Sequence, residues 1–169
     1  GPKPLNLKDT IAVDILTVVL GEGKSSRMIQ KLIKKAENPI FNTVGCSQYQ
    51  FRDGNNILIQ FNFKGDKKDQ AVEDLSNLIK SLENNPITPE EFEKARKKLQ
   101  ARFAENAETV SCVAETIGYS YILSNGMTSY VEYPEILKSI SREDTISAIH
   151  KYLKMENACI ATITPEDKA

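Results

Sequence analysis

Ile40-Phe-Asn-Thr-Val-Gly-Cys-Ser-Gln-Tyr-Gln-Phe51, then Arg52-Asp53-Gly54-Asn55, then Ile57-Leu-Ile-Gln-Phe-Asn-Phe63, is the stretch on which the fold turns. Two runs of period two around an Asp-Gly turn read as an antiparallel hairpin. In the first run Phe41, Thr43, Gly45, Ser47, Tyr49 and Phe51 share one face, and Asn42, Val44, Cys46, Gln48 and Gln50 share the other. In the second run Ile57, Ile59, Phe61 and Phe63 stand opposite Gln60, Asn62 and Lys64. One face of such a sheet covers a core and the other meets water or a cavity.

Upstream of the hairpin the pattern is helical. Residues 11, 12, 13, 15, 16, 18, 19 and 20 are apolar, too many sides for a surface helix, so a mostly buried one is expected, capped by Asp9 or Thr10. Gly21-Glu22-Gly23-Lys24 stops it. Ser25 or Ser26 is expected to cap a second helix carrying Met28, Ile29, Leu32, Ile33 and Ala36. Downstream, Ala71, Val72, Leu75, Leu78, Ile79 and Leu82 form one stripe. Thr88-Pro89-Glu90-Glu91 is a capping box opening a long helix, whose Glu90–Lys94 and Glu93–Lys97 spacings read as a solvated charged face. That helix kinks between Asn106 and Val110. Shorter helices are expected near Val131–Ile140 and after Ser141, with a final strand from Ala158 to Ile163. The order predicts an α+β fold, a mainly antiparallel sheet with helices on one face, in a single domain over 1–169. Its sheet is one strand short at the N-terminal side, so the domain reads as a fragment of a larger two-domain chain. The open edge leads to an expectation of edge pairing, a dimer among its forms, or of cover by Gly1–Asn6.

Composition removes whole classes of function. With 22 Lys+Arg against 23 Asp+Glu, the formal net charge is -1, which favours neither nucleic acid nor anionic lipid. The apolar stretch Ile11–Leu20 is far shorter than the ~20 residues of a membrane span. A single histidine, His150 on a helical stretch, cannot build an HExxH or HxxEH zinc site, and Cys46, Cys112 and Cys159 have no metal-binding or disulfide spacing. This chain is therefore expected to hold no catalytic residue, metal or cofactor of its own. Gly23-Lys24-Ser25 matches the end of a phosphate loop, but the required earlier glycine falls at Val18, inside a helix.

Five segments in register carry a resemblance. They are Leu20-Gly-Glu-Gly-Lys-Ser-Ser-Arg27-Met28; Arg52-Asp53-Gly54 in its hairpin; Ile87-Thr-Pro-Glu-Glu-Phe-Glu-Lys-Ala-Arg96; Ile140-Ser-Arg-Glu-Asp-Thr-Ile146; and Lys151-Tyr-Leu-Lys-Met-Glu-Asn157. In order and spacing the chain resembles the pitrilysin (insulinase) zinc metallopeptidase family, in its processing-peptidase branch and its non-catalytic C-terminal type of domain. The resemblance implies a clamshell of homologous domains around a chamber that cleaves peptides. Zinc is then expected in a partner catalytic domain or subunit bearing HxxEH, and this domain forms the opposite wall. An alternative within the same fold is a proteolytically inactive scaffold subunit. The resemblance puts peptide contact on the short glycine loop, Gly21 and Gly23 with Ser25 and Ser26. Ile33 and Phe41 stand where the family often has an arginine and a tyrosine that reach the substrate. That departure argues against direct transition-state assistance and leaves the wall role intact.

Overall fold

The computed structural model describes residues 1–124 and 126–163. The apolar run of the N-terminal third folds as α1, Leu7–Gly21, with ten residues from Thr10 to Leu20 buried. Its cap is Asn6, whose side chain accepts from the Asp9 amide at 3.2 Å, one turn earlier than Asp9 or Thr10 would allow. A helix apolar on every side must be covered on every side. The hairpin β1 (Phe41–Phe51) and β2 (Gly54–Phe63) covers one flank. The helices α3 (Pro89–Asn106), α5 (Thr128–Ser139) and α6 (Arg142–Tyr152) supply the others. The helix α2 (Lys68–Asn84) buries the expected stripe of Ala71, Leu75, Leu78, Ile79 and Leu82. The helix α4 (Val110–Ser124) begins after the break between Asn106 and Val110 and packs chiefly on α5.

In the hairpin, Val44 opposes Phe61, Cys46 opposes Ile59 and Gln48 opposes Ile57 on the covered face. Ser47 with Leu58 and Tyr49 with Asn56 lie on the open face, where Tyr49 and Leu58 are exposed. Phe41 departs from the alternation. A register irregularity between Phe41 and Thr43 turns its ring inward, where it is 3% exposed and meets Phe61 edge-on with centroids 5.5 Å apart. One extra residue in a ladder moves a side chain to the opposite face.

Three further expectations are corrected. The second helix is a π-helical segment, Ile29–Lys34, with the wide-turn bond from the Lys35 amide to the Gln30 carbonyl at 2.9 Å. Neither serine caps it, because the Ser26 hydroxyl is buried without a partner and Ser25 is engaged by α3. Residues 158–163 are exposed and irregular, not a strand, since a strand exists only by pairing and these residues meet neither β1 nor β2. At the N-terminus the Pro2 carbonyl accepts from the Asn55 amide at 3.0 Å, seating the first residues against the start of β2.

The ends of the chain are tied together. Asp9 accepts from Lys151 at 2.6 Å and from the Tyr152 hydroxyl at 2.5 Å, joining the first turn of α1 to the end of α6. Burial opposes ionisation of Asp9, but these bonds overcome it and hold the carboxyl below its usual range.

Gly21 marks the closest approach of α1 to the sheet. A Cβ there would lie 2.1 Å from the Cys46 amide nitrogen and 2.6 Å from its Cβ, so backbone would have to move. Gly21→Ala is expected to cost about 1–3 kcal/mol in denaturant unfolding. Gly45→Ala, which meets nothing within 4 Å, should stay within about 0.5 kcal/mol. Equal effects of the two substitutions would contradict the close-approach account.

Candidate functional site

The connection leaving α1 is built by polar chemistry. Glu22 places its carboxylate 2.8 Å from Lys98 and accepts from Arg102 at 2.6 Å. Ser25 accepts from Lys94 at 2.6 Å. Arg27, 9% exposed, donates Nε and Nη2 to the two carboxylate oxygens of Glu91 at 2.7 and 2.6 Å. Its guanidinium also reaches the carbonyls of Asn85 at 2.5 Å and Pro86 at 2.8 Å. Residues 91, 94, 98 and 102 fall on one stripe of α3, so each turn of that helix holds one point of the loop.

The α3 charges are solvated as expected, with Glu90, Lys94 and Lys97 exposed, but other partners replace the i,i+4 pairs. Lys94 turns to Ser25, and Glu93 bonds Arg96 at 2.8 Å. A carboxylate in a planar fork with two further carbonyls gains more than an exposed pair at i,i+4. Glu22 and Glu91 both stay ionised below the usual range. Burial opposes this, and the bonds from Arg102 and Lys98, and from Arg27 and Thr88, prevail. The signal in the sequence was available: Glu91, Lys94, Lys98 and Arg102 repeat at helical spacing opposite a loop with Glu22, Ser25 and Arg27. No local rule pairs groups 64 to 80 positions apart.

Of the residues singled out from sequence, Gly21, Gly23, Ser25 and Ser26 lie together on this loop. Gly23 has φ +86°, a conformation that suits glycine, with open space around its Cα except Lys98 at 3.6 Å from an added Cβ. Ser26 is 3% exposed, its amide donating to the Gly23 carbonyl at 2.9 Å. Ile33 is half-buried against the core and Phe41 is inside it. The open sheet face beyond carries Thr43, Ser47, Asn56, Gln60 and Asn62. Among the described residues no group of three His, Cys, Asp or Glu could hold a metal ion. His150 is exposed in the last turn of α6.

One titratable group was passed over. Asp14 is the lone acid inside the apolar run of α1, and it lies between Arg102 of α3 and Tyr133 of α5. Burial pushes its carboxyl up to about 7, with Arg102 and the Tyr133 hydroxyl pulling partly back. The Tyr133 phenol is itself driven well above its usual range by burial and by the Asp14 charge.

A family model described as the peptidase M16 inactive domain matches residues 1–99. An uncharacterized zinc protease of Rickettsia bellii is 26% identical over 167 residues, 99% of this chain and 40% of the relative. Zinc protease PqqE of Helicobacter pylori is 24% identical over 94% of this chain and 35% of its own length. The chain thus spans 35 to 40% of these curated relatives. A solved structure described as the inactive peptidase domain of a zinc protease from Bordetella parapertussis superposes with TM-score 0.81 at 20% identity, over 93% of this chain and 84% of that one. A protease structure from Helicobacter pylori superposes at 0.75 with 25% identity, covering 90% of this chain and 36% of that one. The fold is therefore the α+β arrangement expected from sequence.

The pH dependence of stability follows from Asp14. Its folded value, about 7, lies above the unfolded 3.8, so the folded state retains a proton that the unfolded state releases. That contribution to stability is fully present below about pH 4 and is lost as pH rises through about 7. Asp14→Asn keeps the shape and removes the charge. It should flatten stability across that window and raise Tm at pH 8 by about 4 °C. A Tm at pH 8 that falls instead would show that ionised Asp14 is held by Arg102.

Proposed function

The chain belongs to the peptidase M16 inactive domain family, and from that premise we propose that it is the non-catalytic wall of a peptide-binding chamber. The zinc and its HxxEH ligands belong to a separate catalytic domain or subunit, and the two parts act together as an endopeptidase. The observation that supports this most directly is the one-sidedness of the hairpin. Helices cover its apolar face, while the other presents hydroxyls and carboxamides beside exposed Tyr49 and Leu58, chemistry suited to extended peptide backbone. The residues described gather no metal-ligating group, so no step of hydrolysis is assigned to them. Their part is to bind and orient.

The loop Gly21–Ser26 is assigned the role of a fixed rim. Its anchors to Glu91, Lys94, Lys98 and Arg102 leave little freedom to close over a substrate. A rigid rim positions by shape, and misplacement of about 1 Å can cost up to 10²-fold in rate.

Two measurements test this. The chain alone should cleave no fluorogenic peptide. With the HxxEH-bearing part added, chelator-sensitive cleavage should appear and depend on both. Equal cleavage by the catalytic part without this chain would overturn the wall role, and tight association without any cleavage would favour the scaffold. In the active mixture, Gly23→Val should lower kcat/KM per folded molecule roughly tenfold. An unchanged value would reduce the loop to a connector.

A further inference from the structure

Protein interiors pack to crystal-like density, and voids larger than a water molecule are few. Between α1, α3, α4 and α5 the chain nevertheless leaves a cleft of about 220 Å³. Its floor is Ile11 of α1 and Leu99 of α3. One wall is aromatic: Phe103 stacks on Tyr133 with centroids 5.4 Å apart and an interplanar angle of 12°, and tilts against Tyr130 at 5.5 Å. The facing wall is α4, through Tyr119 and Leu123.

The helix α4 stands off rather than collapsing onto this floor. Although it is largely apolar, only Ser120 is buried, and Tyr119, Tyr121 and Ile122 are 61%, 66% and 65% exposed. Its C-terminal end is tethered: Ser120 donates to the Gly126 carbonyl at 3.1 Å, accepts from the Tyr130 amide at 3.2 Å and pairs with the Ser129 hydroxyl. A helix pinned at one end over an apolar floor keeps an opening of set size.

The charge at the opening selects the occupant. Arg102 reaches the cleft, but its charge is matched by Glu22, whose two carboxylate oxygens both accept from its Nη2, so the opening carries no excess positive charge from this residue. Gln50 and Asn106 lie at the exposed mouth, and among the described residues their carboxamides have no hydrogen-bond partner. Neutral donors and acceptors around an aromatic wall suit a ring flanked by amides.

We propose that this cleft is a specificity pocket that takes one aromatic or large branched apolar side chain of a polypeptide, with the neighbouring peptide amides facing Gln50 and Asn106. The proposal rests on the reading that this chain meets polypeptide; the cleft opens in the helical layer, so its side-chain preference is separate from the backbone contact of the open sheet face.

The chain contains no tryptophan, so the emission of N-acetyltryptophanamide reports the ligand alone. Titrated with this chain, the probe's emission should shift to the blue and saturate, with Kd on the order of 1 mM. The carboxylate analogue N-acetyltryptophan should bind at least roughly tenfold more weakly, because the Arg102 charge is already balanced by Glu22 and desolvating a carboxylate there goes uncompensated. Amides of α4 should exchange more slowly on saturation. Thr116→Phe, which fills the opening, and Tyr119→Ala, which removes a wall, should each weaken binding roughly tenfold while leaving the thermal transition cooperative. If one fails to fold, the other and the exchange data decide. The proposal is overturned by the absence of a saturable shift below roughly 10 mM, by binding indifferent to both substitutions, or by a concentration-dependent dimer that hides the cleft. Loss of the pocket with cleavage intact in the mixed enzyme would leave the chamber reading standing. Probe binding without cleavage in the mixture would do the reverse.

Discussion

The structure depends on a helix that has no solvent side. α1 is apolar around its whole circumference, and each neighbour is there because a flank of α1 would otherwise meet water. Burial of ten consecutive or near-consecutive side chains is worth more than any polar contact in the fold, at roughly 1.5–3 kcal/mol for each large apolar residue. The same demand explains Gly21. Once the sheet lies close enough to seal α1, the last helical residue meets the backbone of Cys46 and can carry no side chain. Cys46, caught in that contact, has its thiol pushed up to about 12 by burial and is chemically quiet.

Much of this was legible because it is local. The hairpin announced itself by alternation around Asp53-Gly54, α2 by a single stripe, and α3 and α6 by Thr88 and Ser141 with acids three residues on, both realised as reciprocal capping boxes. What stayed hidden involved pairs far apart in the chain or shifts of one residue. No period reveals that the ladder slips beside Phe41. The partners of Glu22, Ser25 and Arg27 lie on α3, and only the closed structure shows that this largely exposed stripe also anchors the loop. Residues 158–163, apolar but for Thr162, read as a strand, yet they pair with neither edge of the two-stranded hairpin.

The loop singled out from sequence as a candidate site owes its shape to more than its glycines. From sequence the glycines read as a helix stop; in the fold one is required by close contact, another by its positive φ, and the intervening side chains fasten the loop to a helix. Of the two positions that the resemblance puts at the substrate, Ile33 is half-buried against the core and Phe41 lies inside it. Asp14 shows the converse. An acid inside an apolar run was visible from the start, but its meaning depends on Arg102 and Tyr133, which tertiary packing alone brings beside it.

The bond between Asp9 and the end of α6 has a consequence for the order in which the protein is made. Synthesis runs towards the C-terminus, so α1 leaves the ribosome before any element that covers it, and the Lys151 end of α6 follows 142 positions after Asp9. At about 5–20 residues per second, an all-round apolar helix waits on the order of ten seconds for its final cover. During that interval nothing native can shield the α6-facing flank. The hairpin, which follows α1 directly and packs on it, is the first cover available, so its early docking shortens the time that apolar helix stands exposed.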